Sequence, residues 1–388
     1  MIGISKRANT VGRTKIRMMY EMEAAYDDVI SFSIGEPDFA TPDNIVGACK
    51  ASLDAHQTGY APNQGVYRLR EAIANRIFET HGVRYDPNEI LITAGGINAL
   101  RAAAEAIIDP EDEVLIPDPF WPNHYNHPML ELGVSVKVPV SAETNFMYDV
   151  SRLGEYLTPK TKAIVVKSPS NPTGALMDRD TMEAVCVFAK QHDLAVISDE
   201  VYEHIIYDGA EFVSPVMFEG MKDRTILCSS LSKAYAMTGW RLGYAAGPAE
   251  VISAMLRMNE NTLASPTTFV QYAGIEALEG DQSAKEHMVE VFQKRRDIIC
   301  RELNSIPGIQ CRKPQGAFYV WPDIRGTGLT SEEFAVRLLR EKQVSITPGN
   351  GFGSCGEGYV RMSYALSTEK LLEGTRRMRE FVASLAGK

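Results

Sequence analysis

Short β-rich runs alternate with helix-patterned stretches through the middle of the chain, and this alternation restricts the fold more than any other feature. Residues 89–95 (EILITAG), 113–118 (EVLIPD), 135–140 (SVKVPV), 161–168 (TKAIVVKS), 194–199 (LAVISD) and 224–230 (RTILCSS) are rich in Val, Ile and Leu. Most end in Gly, Asp or Ser, residues that lead a strand out of a sheet. Between them Val66, Leu69, Ile73 and Ile77 recur on one helical face, and Met182, Val185 and Phe188 with Ala189 repeat the spacing. Strands alternating with helices predict a largely parallel sheet covered by helices.

The last third reads differently. A long helical pattern (Met288, Val291, Phe292, Ile299, Leu303) leads into short strand-like runs, GAFYVW and YVRMSYA. Thr330 with Glu333 has the spacing of a capping box, in which each side chain answers a backbone N–H of the other's turn. Ser367 is placed to cap a final amphipathic helix. The 388 residues suffice for two or three domains. The division expected is an N-terminal segment (1–45) packing with a small domain, a large domain (46–288), and a small α+β C-terminal domain (289–388).

Charge and cysteine content exclude several classes of function. Forty basic against fifty acidic residues leave a net charge of −10, the wrong sign for a nucleic-acid-binding surface. No run reaches the roughly 20 apolar residues that span a bilayer, and the basic N-terminus lacks the apolar core of a secretory signal. The six cysteines form no CxxC pair, so neither a disulfide framework nor a zinc site is expected. A soluble cytoplasmic protein is the expectation. Gly351-Phe-Gly-Ser-Cys-Gly356 matches GxGxxG but runs toward a strand rather than opening a helix, and reads as a turn. The seven histidines, His124 and His204 among them, show no metal-ligand spacing.

Ligands of open α/β sheets bind beyond the carboxyl ends of the strands. Gly95-Gly96-Ile97-Asn98 follows the first run and opens an apolar helix, whose free N–H groups suit a phosphate. The next runs are followed by Asp118, Pro119 and Trp121, and by Ser168-Pro-Ser-Asn171-Pro172-Thr-Gly174. After them come Asp199, Glu200 and Tyr202, and then Ser229, Ser230, Ser232 and Lys233, with Arg241 further on. An amine, a carboxylate, a phenol, an aromatic plate and a phosphate cradle at five strand ends are what an amine-bound, phosphorylated aromatic cofactor needs.

Ser230-Leu-Ser-Lys233-Ala-Tyr-Ala-Met-Thr-Gly-Trp-Arg241-Leu-Gly243 resembles the pyridoxal-phosphate lysine segment of the class I/II aminotransferases. Asn171-Pro-Thr-Gly174, Ser198-Asp-Glu-Val-Tyr202, Gly35-Glu-Pro-Asp38 and Tyr359-Val-Arg361-Met-Ser-Tyr364 are similar to the family's other blocks, in order, from about residue 30 to the end. The resemblance implies fold type I, with a mainly parallel large domain and a smaller α+β domain. It also implies pyridoxal 5'-phosphate as cofactor and a homodimer with active sites at the subunit interface.

By the same resemblance Lys233 forms the Schiff base and shuttles the substrate's α-proton. That role needs a partly neutral amine, which desolvation and nearby cations favour. Asp199 pairs with the pyridine nitrogen and keeps the ring an electron sink. Tyr202, with Asn171 beside it, hydrogen-bonds the ring's phenolic oxygen, and Trp121 stacks on the ring face. Arg241, Ser230 and Ser232 hold the phosphate together with Gly96, Ile97 and Asn98, while Tyr60 reaches the phosphate of the neighbouring subunit. Arg361 grips the substrate α-carboxylate through its planar guanidinium, assisted by Gly35 and Asn171. The Asp118–Pro119 and Asn171–Pro172 bonds are expected to be cis.

The reaction implied is ping-pong transfer of an α-amino group to a 2-oxo acid such as 2-oxoglutarate. A β- or γ-lyase on the same fold is the alternative. Aspartate-preferring members of this branch often carry a lysine where this chain has Ile97. That departure leaves aromatic and aspartate donors level, with Arg13, Lys15 or Arg17 as replacement cations.

Overall fold

The computed structural model describes residues 2–385. Its central sheet has seven strands in the order Ile90–Thr93, Gly243–Ala246, Thr225–Ser230, Ala195–Asp199, Thr161–Lys167, Glu113–Asp118, Val134–Pro139. All run one way except Gly243–Ala246, which is antiparallel to both neighbours. The parallel sheet read from the sequence is therefore present with one reversed strand. Its sequence, Gly-Tyr-Ala-Ala, carries little β signal, and the link from Ser230 to Gly243 holds no helix of the kind a parallel crossover uses.

Burial explains why the inner strands are apolar throughout. Along Ala163-Ile164-Val165-Val166 no residue is more than 3 % exposed. Ile164 and Val166 pack into the core under the Arg179–Gln191 helix, while Ala163 and Val165 pack into the opposite core. That second core is roofed by the helices Gly96–Ile107 and Ala249–Glu260. Both faces of the sheet are covered, so alternation of polar and apolar residues disappears.

A separate core is built from the C-terminal third and part of the N-terminus. Phe292, Phe334 and Phe381, from the helices Ser283–Asn304, Ser331–Lys342 and Thr368–Leu385, meet Met19, Ile30 and Phe32. Strand Ile30–Ser31 pairs in parallel with Val344–Ser345. Three short antiparallel strands, Thr347–Pro348, Val360–Ser363 and Tyr319–Val320, complete this part. The Thr330–Glu333 capping box is formed, and Ser367 Oγ accepts from the Lys370 N–H at 3.4 Å. Residues 351–356 form 3-10 turns that lead to the strand Val360–Ser363. They are tied to the large sheet by Asp118, whose carboxylate accepts from the Ser354 N–H and hydroxyl and from the Cys355 N–H. All six cysteines carry free thiols, and no helix among the described residues is long and apolar enough to cross a membrane.

The Asp118–Pro119 bond is cis as expected, but the second cis bond precedes Pro169 rather than Pro172. The chain reverses immediately after the strand ends at Lys167. Asn171 and Pro172 then lie inside a helical-type turn closed by the Gly174 N–H on the Ser170 carbonyl at 2.8 Å, which ordinary trans backbone supplies.

Two glycines allow strand and loop to meet at the site. Gly95, at φ +85°, precedes the helix Gly96–Ile107. A Cβ on Gly243 would lie 2.6 Å from the Gly95 carbonyl carbon and 2.7 Å from the Gly96 nitrogen. Gly243→Ala should therefore displace that loop and lower stability by about 1–3 kcal/mol in urea unfolding, the usual cost of overpacking against rigid neighbours. Gly154→Ala, with nothing within 4 Å of its new methyl, should stay within about 0.5 kcal/mol of the parent.

Candidate active site

The strand ends converge on a cavity of about 330 Å³. Parallel register decides which side chains meet there. Lys167 is directly opposite Asp199, and Asp199 opposite Cys228 two residues before Ser230. Adjacent strands therefore end in Lys167 and Asp199 on the same face.

Asp199 is 3 % exposed. Its Oδ2 receives His124 Nε2 at 2.8 Å and lies 3.3 Å from Lys167 Nζ, while Oδ1 accepts only a long 3.3 Å bond from the Val201 N–H. Burial alone pushes the carboxyl's proton affinity up. Lys167 and His124 outweigh it and hold the group well below the usual carboxylate range. His124 is itself held neutral, by burial first and then by Lys167. A neutral imidazole must carry its proton on Nε2 to donate to Asp199.

Lys233 sits in the turn after strand Thr225–Ser230 and donates to the Gly35 carbonyl at 2.5 Å. Burial lowers its pKa to about 8; Glu36 opposes the shift, and Arg361, Arg241 and Lys167 add to it. The amine is thus partly neutral near physiological pH, as a nucleophilic lysine requires.

Arg361 lies on strand Val360–Ser363 and is 1 % exposed, between the rings of Tyr319 and Phe352 at 4.7 and 5.0 Å. One Nη donates to Asn171 Oδ1 at 3.1 Å and the other to the Ser33 carbonyl. Its Nε has no partner, and no carboxylate pairs with it among the described residues. A buried guanidinium with donors in reserve is built for an incoming anion.

At the other end, Arg241 donates to the backbone carbonyls of Thr238 and Ala94 at 2.9 and 3.1 Å. It stands beside Gly95, Ser230, Ser232 and the N-terminal turn of Gly96–Ile107, where N–H groups lack helical acceptors. Tyr202 and Tyr319 share a 2.8 Å hydroxyl–hydroxyl hydrogen bond, and burial pushes both phenols up in pKa.

Gly35, Gly96, Ile97, Trp121, Asn171, Asp199, Tyr202, Ser230, Ser232, Lys233, Arg241 and Arg361 all line this cavity. Two residues read from the sequence do not. The Asn98 side chain turns back, accepting from the Ala94 N–H and donating to Asn259. Its N–H donates to the Gly95 carbonyl, so its polar groups stabilise the loop instead of facing the cavity. Tyr60 is 94 % exposed, in a separate surface cleft with Ser265 to Phe269. Lys167, Tyr319, Ile16, Thr238 and the buried His124 were missed. A lysine closing an otherwise apolar buried strand is the signal for Lys167; Thr238 falls inside the Ser230–Gly243 segment and Tyr319 inside the GAFYVW run, and nothing in the sequence marks a place at the site for Ile16 or His124.

A part-neutral lysine, an ionised buried carboxylate, an unpaired arginine and an anion cradle together define an amine-handling enzyme that works through a bound phosphorylated cofactor. The family model described as aminotransferase class I and II matches residues 27–378. The aspartate aminotransferase of Pyrococcus abyssi is 42 % identical over 380 residues, covering 97 % of each chain. Aromatic-amino-acid aminotransferase 2 of Thermococcus litoralis is 40 % identical, again over 97 % of each. The crystal structure of the aromatic aminotransferase of Pyrococcus horikoshii superposes with a TM-score of 0.90 at 41 % identity, covering 95 % of this chain and 99 % of that one. The chain belongs to the class I and II aminotransferases: it is a pyridoxal-phosphate-dependent transaminase of fold type I, acting on amino acids and 2-oxo acids.

The lowered pKa of Lys233 has a direct readout. The protonated ammonium is unreactive, so modification of Lys233 in the cofactor-free protein by an aldehyde reagent should rise through a midpoint near pH 8. An exposed lysine should respond about two units higher. Peptide mapping of the trapped adduct against pH checks this.

Proposed function

We propose that the protein transfers the α-amino group of an aromatic L-amino acid to a 2-oxo acid, 2-oxoglutarate serving as acceptor, by a ping-pong cycle. The observation that carries the donor is the cavity wall. Ile16, Ile97, Leu100 and Trp121 line it beside Tyr319, which favours an apolar side chain. The N-terminal cations face elsewhere: Arg13 pairs with Glu21, Lys15 with Glu332, and Arg17 lies over the Tyr20 ring. A donor with a distal carboxylate finds no partner among them.

The residues present fit pyridoxal phosphate: Arg241 and the Gly95 loop for its phosphate, and Asp199 Oδ1 for its ring nitrogen. Bound there, the cofactor supplies the aldehyde that takes up the amino group and the ring that accepts electron density from the substrate's Cα. In this reading Lys233 would hold the cofactor through its amine and would serve as the base and acid for the substrate's α-proton. Asp199 stays ionised and holds the ring nitrogen's proton. Tyr202 and Asn171 donate toward the ring oxygen, and Trp121 covers one ring face. Ser230, Ser232, Gly96 and Ile97 share the phosphate with Arg241. Arg361 binds the α-carboxylate, with Asn171 and the Gly35 segment fixing its place.

Residues 46–288 act in this reading as the cofactor-binding domain, and 289–388 with 1–45 as the smaller one. The exposure of Tyr60 supports a homodimer in which it reaches the neighbouring site. Six free thiols suit the reducing cytoplasm.

The visible spectrum of the purified enzyme, taken before and after single amino acids, tests the proposal. Phenylalanine or tyrosine should convert the cofactor band to the pyridoxamine form faster than aspartate, and 2-oxoglutarate should restore it. Faster conversion by aspartate would overturn the donor assignment. Lys233→Ala should lose both the band and turnover. Arg361→Lys should weaken every donor roughly 10–100-fold in kcat/KM, because a point charge replaces a two-pronged contact. An unchanged KM would remove Arg361 from the carboxylate site.

A further inference from the structure

Among the described residues, five charged ones line the cavity: Lys167, Asp199, Lys233, Arg241 and Arg361. Four have roles toward cofactor or substrate in the reading above, and Lys167 has none. It ends the buried strand Thr161–Lys167, its side chain 5 % exposed. Parallel register sets it against Asp199, and its ammonium also lies 5.2 Å from the Trp121 ring centre. Burying an ammonium is costly unless it is answered, and here the answering group is Asp199, which His124 already engages.

Both His124 and Lys167 approach the same oxygen, Oδ2. Two donors on one oxygen stop the carboxylate from rotating, and Oδ1 keeps acceptor capacity beyond its long backbone bond. We propose that Lys167 is a positioning residue for transamination, which pins Asp199 so that Oδ1 receives the cofactor's ring nitrogen and acts on Lys233 as a fixed neighbouring cation. The proposal rests on the assignments of Asp199 and Lys233 made above. The groups around the Lys233 nitrogen are Glu36, which favours its protonated form, and Arg361, Arg241 and Lys167, which disfavour it. The groups around Lys167 are Asp199, His124 and Arg361.

Removing the Lys167 charge makes any proton held on the Lys233 nitrogen easier to keep. Its titration midpoint therefore moves up. Two unit charges roughly 8–10 Å apart at an effective dielectric of about 20–40 shift one another by about 0.6–1.5 pH units.

The test compares wild type, Lys167→Met and Lys167→Arg, with Lys167→Gln replacing the Met variant should that protein fail to fold. Two readouts are taken: the pH midpoint of the visible cofactor band, and the dissociation constant of pyridoxal phosphate from each enzyme. Lys167→Met should raise the midpoint by about 0.6–1.5 units and weaken cofactor binding severalfold. Lys167→Arg, which keeps the charge, should hold the wild-type midpoint. A Met or Gln variant that loses thermal stability while midpoint and affinity stay at wild-type values would reduce Lys167 to a structural countercharge and overturn the proposal. A wild-type enzyme without a Lys233-dependent band would instead remove the reading on which the proposal rests.

Discussion

A carboxylate at the end of a buried strand survives ionised only where opposite charge and hydrogen bonds replace the water it has lost. Asp199 meets that condition through the neighbouring strand's Lys167 and through His124. The cavity is arranged around this solution. Asp199 stays negative despite burial, His124 stays neutral, and burial first, with the surrounding cations adding to it, draws down the proton affinity of Lys233. Parallel strands make this possible because they deliver their carboxyl ends, and the side chains there, to one edge.

The second constraint is that the site spans parts of the chain far apart in sequence. Lys233 reaches the carbonyl of Gly35, and Arg361 reaches Ser33 and Asn171. The N-terminal segment is held by its pairing with Val344–Ser345 and by Phe32 in the C-terminal core. Asp118, at another strand end, clamps the 354–355 turn. Packing of the smaller core therefore sets where Arg361 stands, and that core reaches the cavity itself through Tyr202 and Tyr319.

In the proposed reading, an unpaired, buried Arg361 and an apolar wall containing Ile97 and Ile16 divide the work of recognition. The arginine would answer what every amino acid shares, and the wall what distinguishes one from another. A buried cation gains most from an anion that arrives with two oxygens in a plane, whereas an apolar wall discriminates by area and by the cost of stripping water from a charge.

The sequence by itself determined the parallel strands of the sheet and the strand-end residues, Lys233, Asp199 and Tyr202 among them, that the fold gathers with Arg361 around one cavity. Buried parallel strands are continuous apolar runs, and Ser-Leu-Ser-Lys233 with Asp199-Glu-Val-Tyr202 are local patterns whose spacing survives folding. The reversed strand Gly243–Ala246 was illegible because its residues are small and its partners distant. Tyr319, His124 and Ile16 were illegible because their place depends on packing between segments that sequence proximity does not join. Asn98 shows the converse: it stands in the first turn of the helix, as a cradle residue would, but its amide turns to Ala94, four residues back, and to Asn259, 161 residues on, a partner that only the tertiary structure supplies. Only tertiary structure set Lys167 against Asp199, because strand register, a relation between two chain segments, carries no mark in either one alone.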